Sequence, residues 1–494
     1  MLIKMVGVGV DDSGFVSSAG WQVFQIGPDT SGGRELYLCE YQCGVEIINP
    51  VENGLEVYIR VGFCEVVVSK DILDLLDDGA ELSRDVVVKY MNGVRDIGDS
   101  IWKGVHVLGL GVAARIGRDL SLSFYQLEVP RFYGDPADIL ERFLSGKVEN
   151  RNVAIRFSGG VESTALLATC KRLMKRGRIL AVTWAESGAG GSSDVIESSR
   201  IAKVFDVEHL IVPIEEEDLF RISPGSKLSG YPTPALAFSG FLEYLNEIVV
   251  DYFDGDVPII LDGHGGDHAF LEYIEAPMLI GCLGRGFWGK LKEYSELNAT
   301  NCFKVIFEMV FGRRKEVNSL VGRGSLFFAR RETCLSSINS MRMKRIREAL
   351  DEIGVPRLRG EDNILYPFLD GEMLGRALAY SLSDLFDGKN SRLPLRESLS
   401  KKFDFGNFSR RSKGVVTGVF QKSLKLKKEE LLPLILGGYC AAEEIINIEE
   451  INKVYRACSH GVFGVDHGLM NLIVLELLIL NTFESLERRR YEIL

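Results

Sequence analysis

The sequence has no CxxC pair, no HExxH and no uninterrupted apolar run of membrane length, and each absence removes a class of protein. Nine cysteines are scattered over 494 residues, with Cys39 and Cys43 the one close pair. An odd count without a framework reads as reduced thiols and excludes a disulfide-stapled scaffold. The six histidines are not paired with cysteines, which argues against a structural zinc site. The opening MLIKMVGVGVDDSG carries one lysine and breaks its apolar run with two aspartates, unlike a signal peptide. Leu469 to Leu480 is cut by Asn471 and Glu476 and falls short of the ~20 residues of a membrane helix. Positive charge is also in deficit: 58 Lys and Arg against 69 Asp and Glu leave a net −11, which disfavours a uniformly basic nucleic-acid surface. The expectation is a soluble cytoplasmic protein with neither nucleic acid nor membrane as partner.

What is present is an ordinary globular mix, 46% hydrophobic and 26% charged. At roughly 100–200 residues per domain the length predicts two to four domains. Residues 1 to about 130 hold short alternating or β-branched runs, LEVYIRVGF (55–63), CEVVVS (64–69), VHVLGLGVAARIG (105–117) and LSLSFYQLEV (120–129), divided by Gly, Asp and Asn. They predict an antiparallel sheet system. The segment 129–146, with two prolines and then a helical pattern, suits a boundary. From Asn152 the rhythm becomes strand, helix, strand: 152–157, a helix through Leu173, 179–185, a helix over 193–207, 209–214, a helix over 240–253, and 257–263. Such alternation predicts parallel βαβ units. Beyond 270 the pattern is mostly helical.

Two glycine-rich segments follow predicted strands. In Ser158-Gly159-Gly160-Val161-Glu162-Ser163-Thr164 the glycines let backbone approach a ligand, and the N–H groups of the first helical turn with the serine and threonine hydroxyls make an anion site. Glu162 would repel a bare phosphate and makes sense with Mg²⁺ between them. The bland alternative is a serine-capped helix after a glycine turn. The segment matches neither GxxxxGK[ST] nor GxGxxG. The second, Asp262-Gly263-His264-Gly265-Gly266-Asp267-His268, also sits at a strand end. In an open parallel sheet ligands bind beyond the carboxyl ends of strands, so both loops are expected at one crevice, with Asp267 and Glu162 able to share one metal. Taken alone, Gly265-Gly266 read as a tight turn and His264 and His268 as polar turn residues; the two strand-end loops together favour a site.

These residues carry a resemblance. SGGVEST is similar to the SGGxDS pyrophosphate loop of the ATP pyrophosphatases, in particular the asparagine synthetase branch, and GHGGD falls where that branch has GEGSD- or GYGAD-type loops. Tyr366-Pro-Phe-Leu-Asp370 matches its PFLD segment, and Arg392-Leu-Pro-Leu-Arg396 with Arg410-Arg-Ser-Lys413-Gly414 matches its late arginines and lysine loop. Within the branch, GHGGDH resembles the lasso peptide cyclases most. The resemblance, over about 130–420, implies a fold and an activity. The fold is α/β: a degenerate β-rich sandwich of the Ntn-hydrolase, glutaminase-like type over 1–130, then a parallel-sheet ATP-binding synthetase domain over 131–494 with a helical C-terminal part. The activity is an ATP- and Mg²⁺-dependent macrolactam synthetase. It adenylates an Asp or Glu side chain of a ribosomally made precursor peptide and lets the peptide's amine attack.

By the same resemblance, Ser158, Gly159, Gly160 and Ser163 cradle pyrophosphate, with Gly263 and Gly265 in the facing loop. Glu162 and Asp267 hold the metal, Lys413 stabilises transition-state charge, and His264 serves as base or positions the adenylate. A leader peptidase and a leader-recognition protein are implied partners. Two departures stand out. Leu2 replaces the cysteine nucleophile of glutamine-dependent members, so ammonia release from glutamine is not expected, and the metal-side acid is Glu162 rather than Asp.

Overall fold

A computed structural model describes residues 2–6, 22–26, 36–41, 44–51, 56–62, 65–77, 79–186, 193–222, 228–284, 286–311, 320–322, 338–353, 363–403, 408 and 417–493. The first stretch forms two antiparallel sheets. One contains β1 (Leu2–Val6), β2 (Gln22–Ile26), β5 (Val57–Val61), β6 (Glu65–Ser69) and β7 (Val105–Leu108), in the order β2-β1-β6-β5-β7. The other runs β3 (Tyr37–Tyr41), β4 (Gly44–Asn49), β8 (Val112–Gly117) and β9 (Leu122–Gln126). The expected VHVLGLGVAARIG run is therefore two strands, split at the Gly109-Leu-Gly turn.

The period-2 alternation of strands decides what each face buries. On β5 and β6, Val57, Ile59, Val66 and Val68 point at the partner sheet and pack with Val45, Ile47, Ala114 and Ile116. Tyr58 and Val67, one residue out of phase, point the other way, into a second core. The five-stranded sheet is thus a middle layer buried on both faces, which explains why CEVVVS reads as an almost unbroken apolar run.

The second half begins at the helix Pro136–Leu144. Asp135 caps it by accepting from the Ala137 N–H at 3.0 Å, and Pro136 sits in the first turn, where its missing N–H costs nothing. A parallel five-stranded sheet follows: β10 (Val153–Arg156), β11 (Ile179–Glu186), β12 (Glu208–Ile214), β13 (Ile259–Leu261) and β14 (Ile364–Leu365), ordered β12-β11-β10-β13-β14. The chain moves outward from β10 through β11 to β12, then crosses by the helix Ser239–Tyr252 to β13 on the opposite side of β10. The strand order reverses between β10 and β13, and such a reversal opens a crevice at the carboxyl ends.

Among the described residues the remainder is mostly helical, as expected, with the short β14 an exception. One correction concerns the stretch Leu469 to Leu480. It belongs to a helix, His467–Ile493, of which 24 residues (His467–Arg490) are long and apolar enough to cross a bilayer by length and composition. Glu476, read as an interruption, is 2% exposed, and its carboxylate accepts from the backbone N–H groups of Tyr439 (2.9 Å) and Cys440 (2.8 Å). Leu469, Leu472, Ile473, Leu475 and Leu478 are buried in the core that also holds Tyr58, Val67 and Trp102. The helix is a central post joining material from either side of residue 130.

Candidate active site

The two glycine-rich loops leave the crevice between β10 and β13. The strands are in register, Ile155 against Leu261, so both loops start at one level, and Arg156 on one meets Asp262 on the other at 3.0 Å. Gly159 has φ +68°, a backbone turn that an L side chain resists. Gly160 then opens the helix Val161–Leu173 from the N-cap position. Having no side chain, Gly160 cannot cap the first-turn N–H groups, so the end of this helix presents donors and the positive end of its dipole. Ser158 is exposed beside it, while Ser163 and Thr164 are buried.

The facing loop folds onto the same helix. A Cβ on Gly263 would lie 2.7 Å from Glu162 Cβ, and one on Gly266 would lie 2.5 Å from Glu162 Cγ. Both positions therefore need glycine because the Glu162 side chain occupies the space. Gly265, at φ +90°, presses on Leu369 of the PFLD segment, which follows β14 at the third adjacent strand end. Asp370 in turn caps the helix Gly371–Ala379 through the Glu372 N–H at 3.0 Å. Three segments distant in sequence thus lock around one carboxylate.

Glu162 pairs with Arg392, which is itself 2% exposed and reaches Glu272 at 3.0 Å. Arg392 holds a left-handed backbone, φ 58°, a conformation that costs a non-glycine residue about 1–3 kcal/mol and persists only where its surroundings dictate it. Burial works against its charge, yet Glu162, Glu272 and, further off, Asp267 hold its pKa above the ordinary value. Among the described residues no three His, Cys, Asp or Glu side chains group into a protein-only metal cage. A Mg²⁺ in a nucleotide site takes one or two carboxylates plus phosphate oxygens. Glu162 and Asp267, one from each loop and both felt by Arg392, suit that demand.

His264 stands at the middle of the second loop. Its backbone N–H donates to Asp262 Oδ1 at 2.9 Å, fixing the turn. Its Nε2 faces the Ala349 carbonyl at 3.3 Å and Glu352 Oε2 at 3.2 Å. The carbonyl and an ionised Glu352 both accept, so Nε2 is the donor to them, and Nδ1 is the other ring nitrogen. Burial pushes the Glu352 carboxyl above its usual range, opposed by His264 and His268. His268 bonds Asp267 through Nδ1 at 2.9 Å. Burial disfavours its charged form, but that bond and the negative charges of Asp267, Glu352 and Glu348 win, raising its pKa. A cavity of ≈ 690 Å³ opens beside His268 and Glu352, walled by Tyr231, Thr233, Arg95 and Arg347.

The structure thus brings Ser158, Gly159, Gly160, Glu162, Ser163, Gly263, His264, Gly265 and Asp267 to one crevice. Lys413 lies outside the described residues. Two partners that sequence reasoning missed are Glu352 and Glu272. Glu352 is 88 positions from His264 on the amphipathic helix Ile338–Ile353, where an acid reads as a solvated face. Arg392 was visible as part of a motif, but its pairing with Glu162 had no sequence signal.

Among solved structures, the chain is similar to a U34-tRNA thiolase, NcsA, from Methanococcus maripaludis. Identity is 18%, the match covers 27% of this chain and 45% of that one, and the TM-score is 0.21. It is also similar to an NH3-dependent NAD synthetase from Campylobacter jejuni at 14% identity, covering 27% of this chain and 56% of that one, with a TM-score of 0.20. The matched region therefore spans about half the length of each. No curated protein matches the chain. Residues 145–288, which carry both glycine-rich loops, match the family model of asparagine synthase, and this match supports an ATP-using, amide-forming type of ligase chemistry.

Proposed function

We propose that the protein is an ATP- and Mg²⁺-dependent macrolactam synthetase of lasso peptide maturation. The observation that carries this reading is the histidine at the centre of the second loop, oriented by Glu352 and sharing a crevice with the pyrophosphate-type loop. An Asp or Glu side chain of a ribosomally made peptide attacks the α-phosphorus of ATP, pyrophosphate leaves, and the peptide's own α-amine then displaces AMP to close the ring. Ser158, Gly159, Gly160 and Ser163 receive the pyrophosphate at the helix end. Asp267 and Glu162 would hold Mg²⁺, which when bound neutralises charge on the leaving group. Arg392 keeps Glu162 in place, and Lys413 supplies positive charge to the transition states.

The second step needs a base, because an α-amine with a pKa of ~7.7–8.0 is mostly protonated at neutral pH. His264 accepts that proton at Nδ1, and Glu352 steadies the imidazolium through Nε2. A leader peptidase and a leader-recognition protein are the expected partners, and the cytoplasm the expected compartment. A second reading, a synthetase-fold scaffold without turnover, draws support from the Arg392–Glu162 pair, which already neutralises the metal-side acid.

The test is AMP and pyrophosphate release from Mg²⁺-ATP with intact-mass analysis. Substrates are a leader-free peptide bearing an Asp or Glu several residues from a free N-terminus and, separately, a small β-amino acid. Peptide-dependent AMP with loss of one water, abolished by Lys413→Ala, is the expected result. AMP with the small molecule alone would move the protein to a β-lactam synthetase type of ligase.

A further inference from the structure

The N-terminal layer sends a buried charged chain into the wall of the candidate active site. Glu56, at the entrance to β5, is 4% exposed and accepts from Tyr58 (3.2 Å) and Ser229 (3.0 Å). Arg95 stands 3.6 Å from Glu56 and 2.8 Å from Asp351, with its guanidinium 4.2 Å above the Tyr231 ring. Asp351 immediately precedes Glu352, and His264 reads the same helical turn twice, through Glu352 Oε2 and the Ala349 carbonyl. We infer that Arg95, backed by Glu56, is a positioning residue: by holding Asp351 it fixes the last turn of the helix Ile338–Ile353, and so aims Glu352 at His264.

Three physical points support this. Acids at a helix C-terminus face the negative end of the dipole, so Asp351 and Glu352 are repelled from their own turn unless cations hold them. Arg95 does this for Asp351, helped by Arg347 at 3.9 Å. Leu350 and Ile353 seat this turn in a third core, with Phe157 and Leu369, and Arg95 holds it from the polar side. Finally, Glu56 Oε1 and Arg95 Nε are buried without a hydrogen bond. A contact serving cohesion alone is made as well by apolar side chains, without that cost. Burial pushes Glu56 up to about 7 against the pull of Arg95, with Asp351 adding to the rise and Ser229 and Tyr58 opposing it. Arg95 therefore has two carboxylate partners above that pH and one below it.

The geometric part of this inference is independent of the macrolactam reading, whereas its catalytic consequence rests on that reading. The test uses the full chain with ring-labelled histidine. Six histidines give few signals, and His264→Gln identifies the one of interest. At pH 8, Arg95→Met is expected to move the His264 ring resonances and to speed amide exchange at 349–353 at least tenfold, leaving 161–173 unchanged. Arg95→Lys should restore most of both, and Glu56→Gln at pH 8 should resemble the wild type at pH 6. Should Arg95→Met not fold, Asp351→Asn cuts the same link from the other side. Unmoved His264 resonances in both variants overturn the inference.

The activity arm separates the two claims. If the wild type turns over, kcat should fall about 10–100-fold in Arg95→Met with the KM for ATP unchanged, and equal kcat overturns the positioning role. If the wild type is silent with every peptide while the His264 resonances still move, the macrolactam reading fails and the positioning geometry stands.

Discussion

Gly265→Ala tests the lock between the second loop and the PFLD segment. At φ +90° an alanine pays about 1–2 kcal/mol of backbone strain. Its Cβ would fall 2.9 Å from Leu369 Cδ1 and closer still to Cγ and Cδ2, so a well-packed side chain, 2% exposed, must move. Overpacking of this kind costs about 1–3 kcal/mol, for a total of about 2–5 kcal/mol. The partner is also the remedy. Leu369→Ala alone should cost about 2–5 kcal/mol by leaving a cavity, but in the double variant the new methyl enters the space the leucine vacates. The packing part of the conflict then disappears and only the strain remains. Denaturant unfolding of the four proteins should give a coupling energy of about 1–3 kcal/mol, in the direction that makes the double variant less damaged than the sum. Pyrophosphate exchange should follow the same order, because the loop that carries His264 and Asp267 pivots on Gly265. Additive losses, or a Gly265→Ala protein with unchanged midpoint, would refute the claim that this contact sets the loop.

Glu162→Gln should destabilise the fold by about 3–5 kcal/mol, since it strips a buried arginine of one of its two carboxylates, and it should abolish ATP-dependent pyrophosphate exchange. Thermal unfolding and exchange assays check the two halves separately. Glu56 makes a pH-dependent contribution: with its folded pKa at about 7 against 4.5 for the ordinary carboxyl, the folded state holds the extra proton. The stability it lends is complete below about 4.5 and lost as pH rises through about 7, amounting to about 3 kcal/mol in all. Denaturant midpoints of Glu56→Gln across pH 5–8 should lack that slope.

Much of the fold was legible because local rules and tertiary demands agreed. The βαβ rhythm from Asn152 to Leu261 follows from short β-branched runs alternating with helical segments, and strand-end loops must share a crevice where strand order reverses. The two motifs could be paired for that reason alone. What escaped was anything set by side-chain approach across long separations. Glu352 reads as surface until the helix Ile338–Ile353 is laid against the loop, and Arg392, though part of a motif, shows no partner until its backbone turns it inward to Glu162. Glu476 misled for a related reason. An acid in an apolar run signals an interruption unless a neighbouring helix start, here Tyr439 and Cys440, presents free N–H groups to it.

The helix His467–Ile493 also has a consequence for how the chain acquires its shape. Its buried leucines complete a core to which Tyr58, Val67 and Val107 of the middle sheet belong. That helix is synthesised about 350 residues after the sheet, on the order of 20–70 s later at ~5–20 residues per second. Until then that core stays incomplete, covered in part by Ile72, Leu75 and Trp102. A chain truncated before residue 467 should therefore lack that part of the core and aggregate rather than yield a folded N-terminal unit.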